Sequence, residues 1–237
     1  MSRFAGQVAL VTGASGGVGA ALAQALAANG AHVVLTGRNT KVLETVEQAI
    51  FDAGGAATIA PVDLADADGI ARLANAVAER WGVLDMLAHT AAILPQLTSV
   101  ADIDQVAFTK AITTNTLATQ ALIARFDPLL RKSANGRLAY FTTSVATAPR
   151  AYWGAYAASK AAAEVLIDCY AQEVRNISKV RVAIIDPGAT RTAMRARAYP
   201  GEDPKTVKSP DVIAARVVDL FGEQFASPHR ERVNQPS

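Results

Sequence analysis

A doubly wound parallel α/β sheet with helices on both faces is the fold class this sequence predicts, and three observations predict it. Short apolar runs rich in Val, Ile and Leu alternate with longer helix-forming segments along 237 residues. The first run passes directly into a glycine-rich turn that opens a helix. No repeat or linker interrupts the alternation, so residues 1–237 are expected to form one domain. Six strands are legible, in a class that carries six or seven.

The first strand is Gln7 to Thr12, followed by Gly13-Ala-Ser-Gly-Gly17-Val-Gly19 and an Ala/Leu-rich helix to Asn29. Glycines there let a pyrophosphate approach the backbone, and the helix N-terminus offers unpaired N–H groups and partial positive charge. No lysine follows the glycines, which argues against a P-loop. A tight turn serving packing alone is the competing reading. A second strand, Ala31 to Thr36, leads to Gly37-Arg38, where a dinucleotide fold meets the adenosine ribose. An acidic residue at this place would suit NAD; an arginine suits the 2′-phosphate of NADP. Its plainer alternative is a solvated turn residue.

Helix Lys41–Ala53 leads through Gly54-Gly55 to a third strand, Thr58 to Val62, ending in Asp63-Leu64. Asp63 is placed either to accept from an adenine amino group or to cap the next helix, Asp66 to Trp81. The fourth strand, Leu84 to Thr90, runs into Ala91-Ala92; His89 within it reads as a hydrogen-bonded histidine rather than a catalytic one. Ala101 to Arg131 is helical, with Asn115 inside a threonine cluster that invites a kink or a bound water. A fifth strand begins at Arg137 and a sixth spans Val180 to Asp186, breaking at Pro187-Gly188. Residues 189–209 read as a mobile loop or short helical lid over the substrate. A helix from Pro210 to Gly222 precedes a polar tail, 225–237.

Twenty-three basic residues are scattered among 21 acidic ones, for a net charge of +2. Neither a nucleic-acid footprint nor a polybasic membrane patch emerges, so a small-molecule partner is expected. No metal-ligand cluster stands out. The single cysteine, Cys169, excludes an intrachain disulfide and reads as a small buried residue. The glycine turn comes too early for a signal peptide, and no run approaches the roughly 20 apolar residues of a bilayer span. A cytoplasmic protein is expected.

The reactive stretch is Ser144 to Lys160. Ser144 closes the apolar run Arg137 to Thr143, at the carboxyl edge where open α/β sheets bind ligands. Tyr156 and Lys160, four apart on a helix, share a face. Alone they would pass for a surface pair. As neighbours at a site, the ammonium lowers the phenol from its usual value near 10.

Together, Thr12-Gly13-x-x-x-Gly17-x-Gly19, Asp63, Asn115, Ser144, Tyr156-x-x-x-Lys160 and Pro187-Gly188-x-x-x-Thr192 resemble the short-chain dehydrogenase/reductase family, single-domain branch. Among its members the chain is most similar to bacterial oxidoreductases of unsettled role that resemble 3-oxoacyl carrier-protein reductases. The resemblance implies a Rossmann-like fold, NADP(H), and hydride exchange with a carbonyl or alcohol group of a small molecule. It implies Tyr156 as general acid/base, Ser144 on the substrate oxygen, Lys160 on the ribose and phenol, and Asn115 holding a relay water. Gly13, Ser15, Gly17, Val18, Gly19, Arg38, Asp63, Leu64, Ala91, Tyr156, Lys160, Pro187, Gly188, Thr190 and Thr192 would contact the cofactor. A homodimer or homotetramer built on the helices of Asn115 and Tyr156 is also implied.

Three departures from the family pattern stand out. His89-Thr90-Ala91-Ala92 replaces the usual Asn-Asn-Ala-Gly, which crowds the ribose and weakens links between strands. Gly16 takes the place of a second basic residue, leaving Arg38 to carry the phosphate preference alone. No seventh strand is evident in Phe225 to Ser237. A protein that kept the fold, bound NADP and lost its chemistry is the competing expectation.

Overall fold

The computed structural model of the protein describes residues 2–234. Met1 and the last part of the expected tail, 235–237, lie outside the described residues. Seven strands form one sheet: β1 Val8–Thr12, β2 His32–Thr36, β3 Ala56–Ile59, β4 Met86–His89, β5 Arg137–Phe141, β6 Arg181–Asp186 and β7 His229–Arg232. All pairings are parallel, in the order β3-β2-β1-β4-β5-β6-β7. The order reverses between β1 and β4, and the crevice at that switch point is where such sheets take ligands.

The inner strands are apolar on both faces because both faces are covered. Ala9, Val11, Val33, Leu35, Ala183 and Ile185 face α1 (Gly17–Ala28), α2 (Thr40–Asp52) and α9 (Pro210–Gly222). Val8, Leu10, Val34, Val182 and Ile184 face α3 (Ala67–Trp81), α5 (Ala118–Lys132) and α7 (Gly154–Val174). The period-two alternation therefore divides one sheet between two cores.

Four local readings are corrected. The expected polar tail contains a seventh strand. Its sequence, His-Arg-Glu-Arg, is held by charge rather than by an apolar face: Arg230 pairs with Glu164 and Asp168, and Arg216 with Glu231. The expected long helix 101–131 is α4 (Gln105–Ala111), a π-helical turn at Ile112–Leu117, and α5. The threonine cluster thus widens the helix around Asn115. Asp63 does not cap α3; Asp66 is at that position, and Asp63 accepts from the Ala65 N–H at 3.0 Å. Cys169 is exposed, because its position on α7 faces away from the sheet.

Residues 189–209 are structured. They contain α8 (Ala193–Ala198), a 3₁₀ turn at Pro204–Thr206 and a bridge between Thr190 and Lys208. No helix among the described residues is long and apolar enough to cross a membrane. No group of three or more His, Cys, Asp or Glu side chains among them is placed to hold a metal.

Candidate active site

A cavity of about 420 Å³ opens at the carboxyl ends of β1, β4, β5 and β6. The glycine turn forms one wall. Gly17 is at φ 54°, a conformation that favours glycine, and a Cβ there would meet Thr192 Cγ2 at 3.1 Å across the crevice. A Cβ on Gly19 would lie 2.3 Å from the Gly13 carbonyl oxygen, so the helix start packs directly on the turn. Ser15, Val18, Gly37, Arg38, Asp63 and Leu64 extend the wall past β2, with Arg38 exposed at the rim.

The floor is built from β4 outward. Thr90 replaces asparagine, yet its hydroxyl donates to the Thr12 carbonyl at 2.6 Å, so the link between β1 and β4 is kept. His89 is buried between Thr12 (Nδ1, 2.8 Å) and Thr119 (Nε2, 2.9 Å). Thr119 itself donates to the Asn115 carbonyl at 2.8 Å. With that hydroxyl proton committed, Nε2 must donate to Thr119 and Nδ1 must accept from Thr12. Burial, with the Lys160 charge nearby, pushes His89 down to about 3, so it stays neutral. It is hydrogen-bonded rather than catalytic, and the expected weakening of the strand links does not occur.

Asn115, in the π turn, accepts from the Ile93 N–H at 2.8 Å and donates to the Ile93 carbonyl at 3.0 Å and to Ser159 Oγ at 2.9 Å. Its amide therefore fastens the segment after β4 to α7. Both its oxygens, Oδ1 with one bond from Ile93 and the main-chain carbonyl with one from Thr119, keep a second lone pair.

Lys160 is buried and donates to the Phe141 carbonyl at 2.6 Å, with its ammonium 4.2 Å from the centre of the Tyr140 ring. Burial pulls it down to about 7, against the raising effect of Glu164. Tyr156 is pushed up to about 12, by burial first and Asp186 second. The expected lowering of the phenol is thus reversed in this state. Leu94, Val145 and Ala157 pack with Tyr156, and Met194 Sδ stands 3.9 Å from its hydroxyl.

Ser144 sits one residue further along the chain than the cavity wall. It begins the short helix α6 (Ser144–Thr147), three residues beyond β5, and is not among the residues lining the cavity; Thr142 and Thr143 are. The Thr142 hydroxyl donates to Glu164, which leaves Thr143 as the uncommitted hydroxyl of the two that line the cavity at the end of β5. The signal for Thr143 was adjacency: either hydroxyl could end the strand, and only the residue at which the chain turns into α6 separates them. Ala91, Pro187, Gly188, Thr190 and Thr192 complete the wall above β6, and Thr190 donates to the Pro187 carbonyl at 2.9 Å.

Residues 7–203 match the family model described as short chain dehydrogenase. The chain belongs to the short chain dehydrogenase family. The uncharacterized oxidoreductase YciK of Escherichia coli strain K12 is 36% identical over 220 residues, 92% of this chain and 86% of YciK. A short chain dehydrogenase structure from Salmonella enterica serovar Typhi superimposes with a TM-score of 0.94 at 33% identity, covering 99% of this chain and 98% of that one. A structure from Shigella flexneri in complex with NADP gives a TM-score of 0.93 at 33% identity, covering 98% of each chain.

Proposed function

We propose that this short chain dehydrogenase is an NADP(H)-dependent reductase of a small-molecule carbonyl, with Tyr156 as the proton donor. The observation that carries this reading is the buried, protonated phenol placed between the lid and a crevice shaped for a dinucleotide. The crevice suits that group on its own terms: Gly17, at φ 54°, keeps the turn free of a Cβ that would crowd Thr192 at 3.1 Å across the crevice. Arg38 at the rim supplies the charge for a 2′-phosphate, and a neighbouring structure that binds NADP supports the choice. The bound nicotinamide would supply the hydride to the carbonyl carbon.

The chain's own residues do the rest. Tyr156 hydrogen-bonds the substrate oxygen and gives it the proton as negative charge develops there. Thr143, in place of Ser144, donates a second hydrogen bond to the same oxygen. Lys160 holds positive charge beneath the phenol and faces the ribose site. Asn115, through the free lone pair of its carbonyl, offers a water a place on the route from solvent to Lys160. The phenol, raised to about 12 by burial, carries its proton at neutral pH, and the charge of Lys160 beside it would ease the proton's release.

Residues 189–209 act as the entrance, with α8 moving off Tyr156 to admit substrate. Leu117 and Val165 are 57% and 60% exposed on the outer faces of α5's approach and α7, which supports a homo-oligomer formed through these helices. The deciding experiment is NADPH oxidation by purified protein against a carbonyl panel, with cofactor binding measured separately. Bound NADPH with no carbonyl reduced, and no alcohol oxidised with NADP, overturns the reading.

A further inference from the structure

Resting on that reading, we propose that the space over Tyr156 selects compact, uncharged carbonyl compounds with a flat ring body and rejects anionic ones. The space is walled by Leu94, Trp153, Met194, Ala198 and Tyr199, none of them charged. Trp153 stands between two other rings, 6.0 Å from Tyr156 and 5.9 Å from Tyr199, centroid to centroid. Rings at this spacing form an apolar wall that matches a planar body. Met194, whose sulfur rests by the phenol, is the flexible member that a ring can push aside.

Arg195, which also lines this cavity, Arg197 and Lys160 are each engaged by the protein itself. Arg195 forms a two-point contact with Glu202, at 2.7 and 2.5 Å, and its guanidinium lies 3.6 Å from the centre of the Tyr199 ring. Arg197 donates to the Leu94 carbonyl at 2.8 Å. Lys160 donates to the Phe141 carbonyl. Arg38 lies at the far end of the crevice, past β2. A carboxylate or phosphate seated over Tyr156 would exchange its hydration for apolar side chains, without a two-point contact from Arg195 or Arg197, both held elsewhere.

The test uses purified full-length protein with NADPH and four carbonyls that differ by one feature each. Ethyl benzoylformate and benzoylformate share a ring and a reacting ketone and differ in charge. Ethyl pyruvate and pyruvate repeat the comparison without the ring and correct for the intrinsic activation by an ester. After that correction, kcat/KM for the ring ester should exceed that for its acid by about 100-fold or more. It should exceed that for ethyl pyruvate by about 10-fold. Trp153→Ala should bring this second ratio close to one, whereas Trp153→Phe should keep most of it.

Binding gives a readout that does not depend on turnover. In Trp81→Phe protein without cofactor, Trp153 is the remaining tryptophan, and ethyl benzoylformate should quench its emission where benzoylformate at the same concentration does not. Preference for the acids, or for acetoacetyl-coenzyme A, with turnover intact would overturn the substrate class and leave the reductase reading standing. Selective quenching by the ester, with NADPH bound and nothing reduced, would uphold the apolar site and sink the reductase reading. Equal quenching by ester and acid would overturn the proposed selectivity.

Discussion

The two ends of the crevice are built from different materials. At the β1–β2 end the wall is mostly main chain and glycine, with a single exposed arginine, Arg38, at its rim. At the β5–β6 end the wall is made of side chains whose polar atoms are nearly all engaged: Lys160 on Phe141, Asn115 on Ile93 and Ser159, and Thr142 on Glu164. The first end offers generic recognition of a dinucleotide through shape and N–H groups. At the second, burial sets the protonation states, and small changes there should be felt as large changes in rate.

The strongest way to break this contrast is Tyr156→Phe. Loss of the proton donor should lower kcat by about a thousandfold, while NADPH affinity measured by titration stays near wild type. Retained turnover would remove Tyr156 from the chemistry. Next comes the pair Thr143→Val and Ser144→Ala. The first should cost about 100-fold in kcat, the scale of one hydrogen bond to a developing oxyanion; the second should change kcat less than threefold. The reverse order would restore Ser144 to the site.

Arg38→Ala tests the other end. It should cut the preference for NADPH over NADH by about one to two decades, the value of a charge-assisted contact, and leave kcat with saturating NADPH nearly unchanged. Equal affinities for both cofactors in the wild type would remove the role of Arg38.

The smallest effect concerns pH. The groups around Lys160 are neutral His89, the Tyr140 ring, Tyr156 and Glu164, of which Glu164 alone raises it. The ammonium is the useful form, so activity should fall as pH rises through the Lys160 value near 7. Glu164→Gln removes the opposing charge, and the fall should move to lower pH by about one unit. An unmoved profile would show that Glu164 does not act through Lys160.

The same contrast explains what was legible in the sequence. Gly13 to Gly19 and the Tyr156–Lys160 spacing are imposed by backbone geometry, so they survive as patterns of residue type and interval. The state of the phenol depends on Trp153 and Met194 arriving from elsewhere in the chain, and spacing says nothing about that burial. Strand β7 escaped for a related reason. His229–Arg232 shows no apolar alternation, and its partners Glu164 and Asp168 lie on a helix more than sixty residues away, with Arg216 on the preceding helix. Thr143 and Ser144 differ by one position at a strand end, finer than a run of apolar residues defines.

The π turn at Ile112–Leu117 carries one residue more than a regular helical turn would. The extra residue works as a register adjustment. A one-residue deletion within it would let α4 run straight into α5 with regular i to i+4 hydrogen bonds. The Asn115 carbonyl, which now accepts from the Thr119 hydroxyl, would then take a main-chain N–H as well and have no lone pair left for a water. In the course of descent, a length change of one residue here should therefore be tolerated far less than longer insertions in the exposed loops.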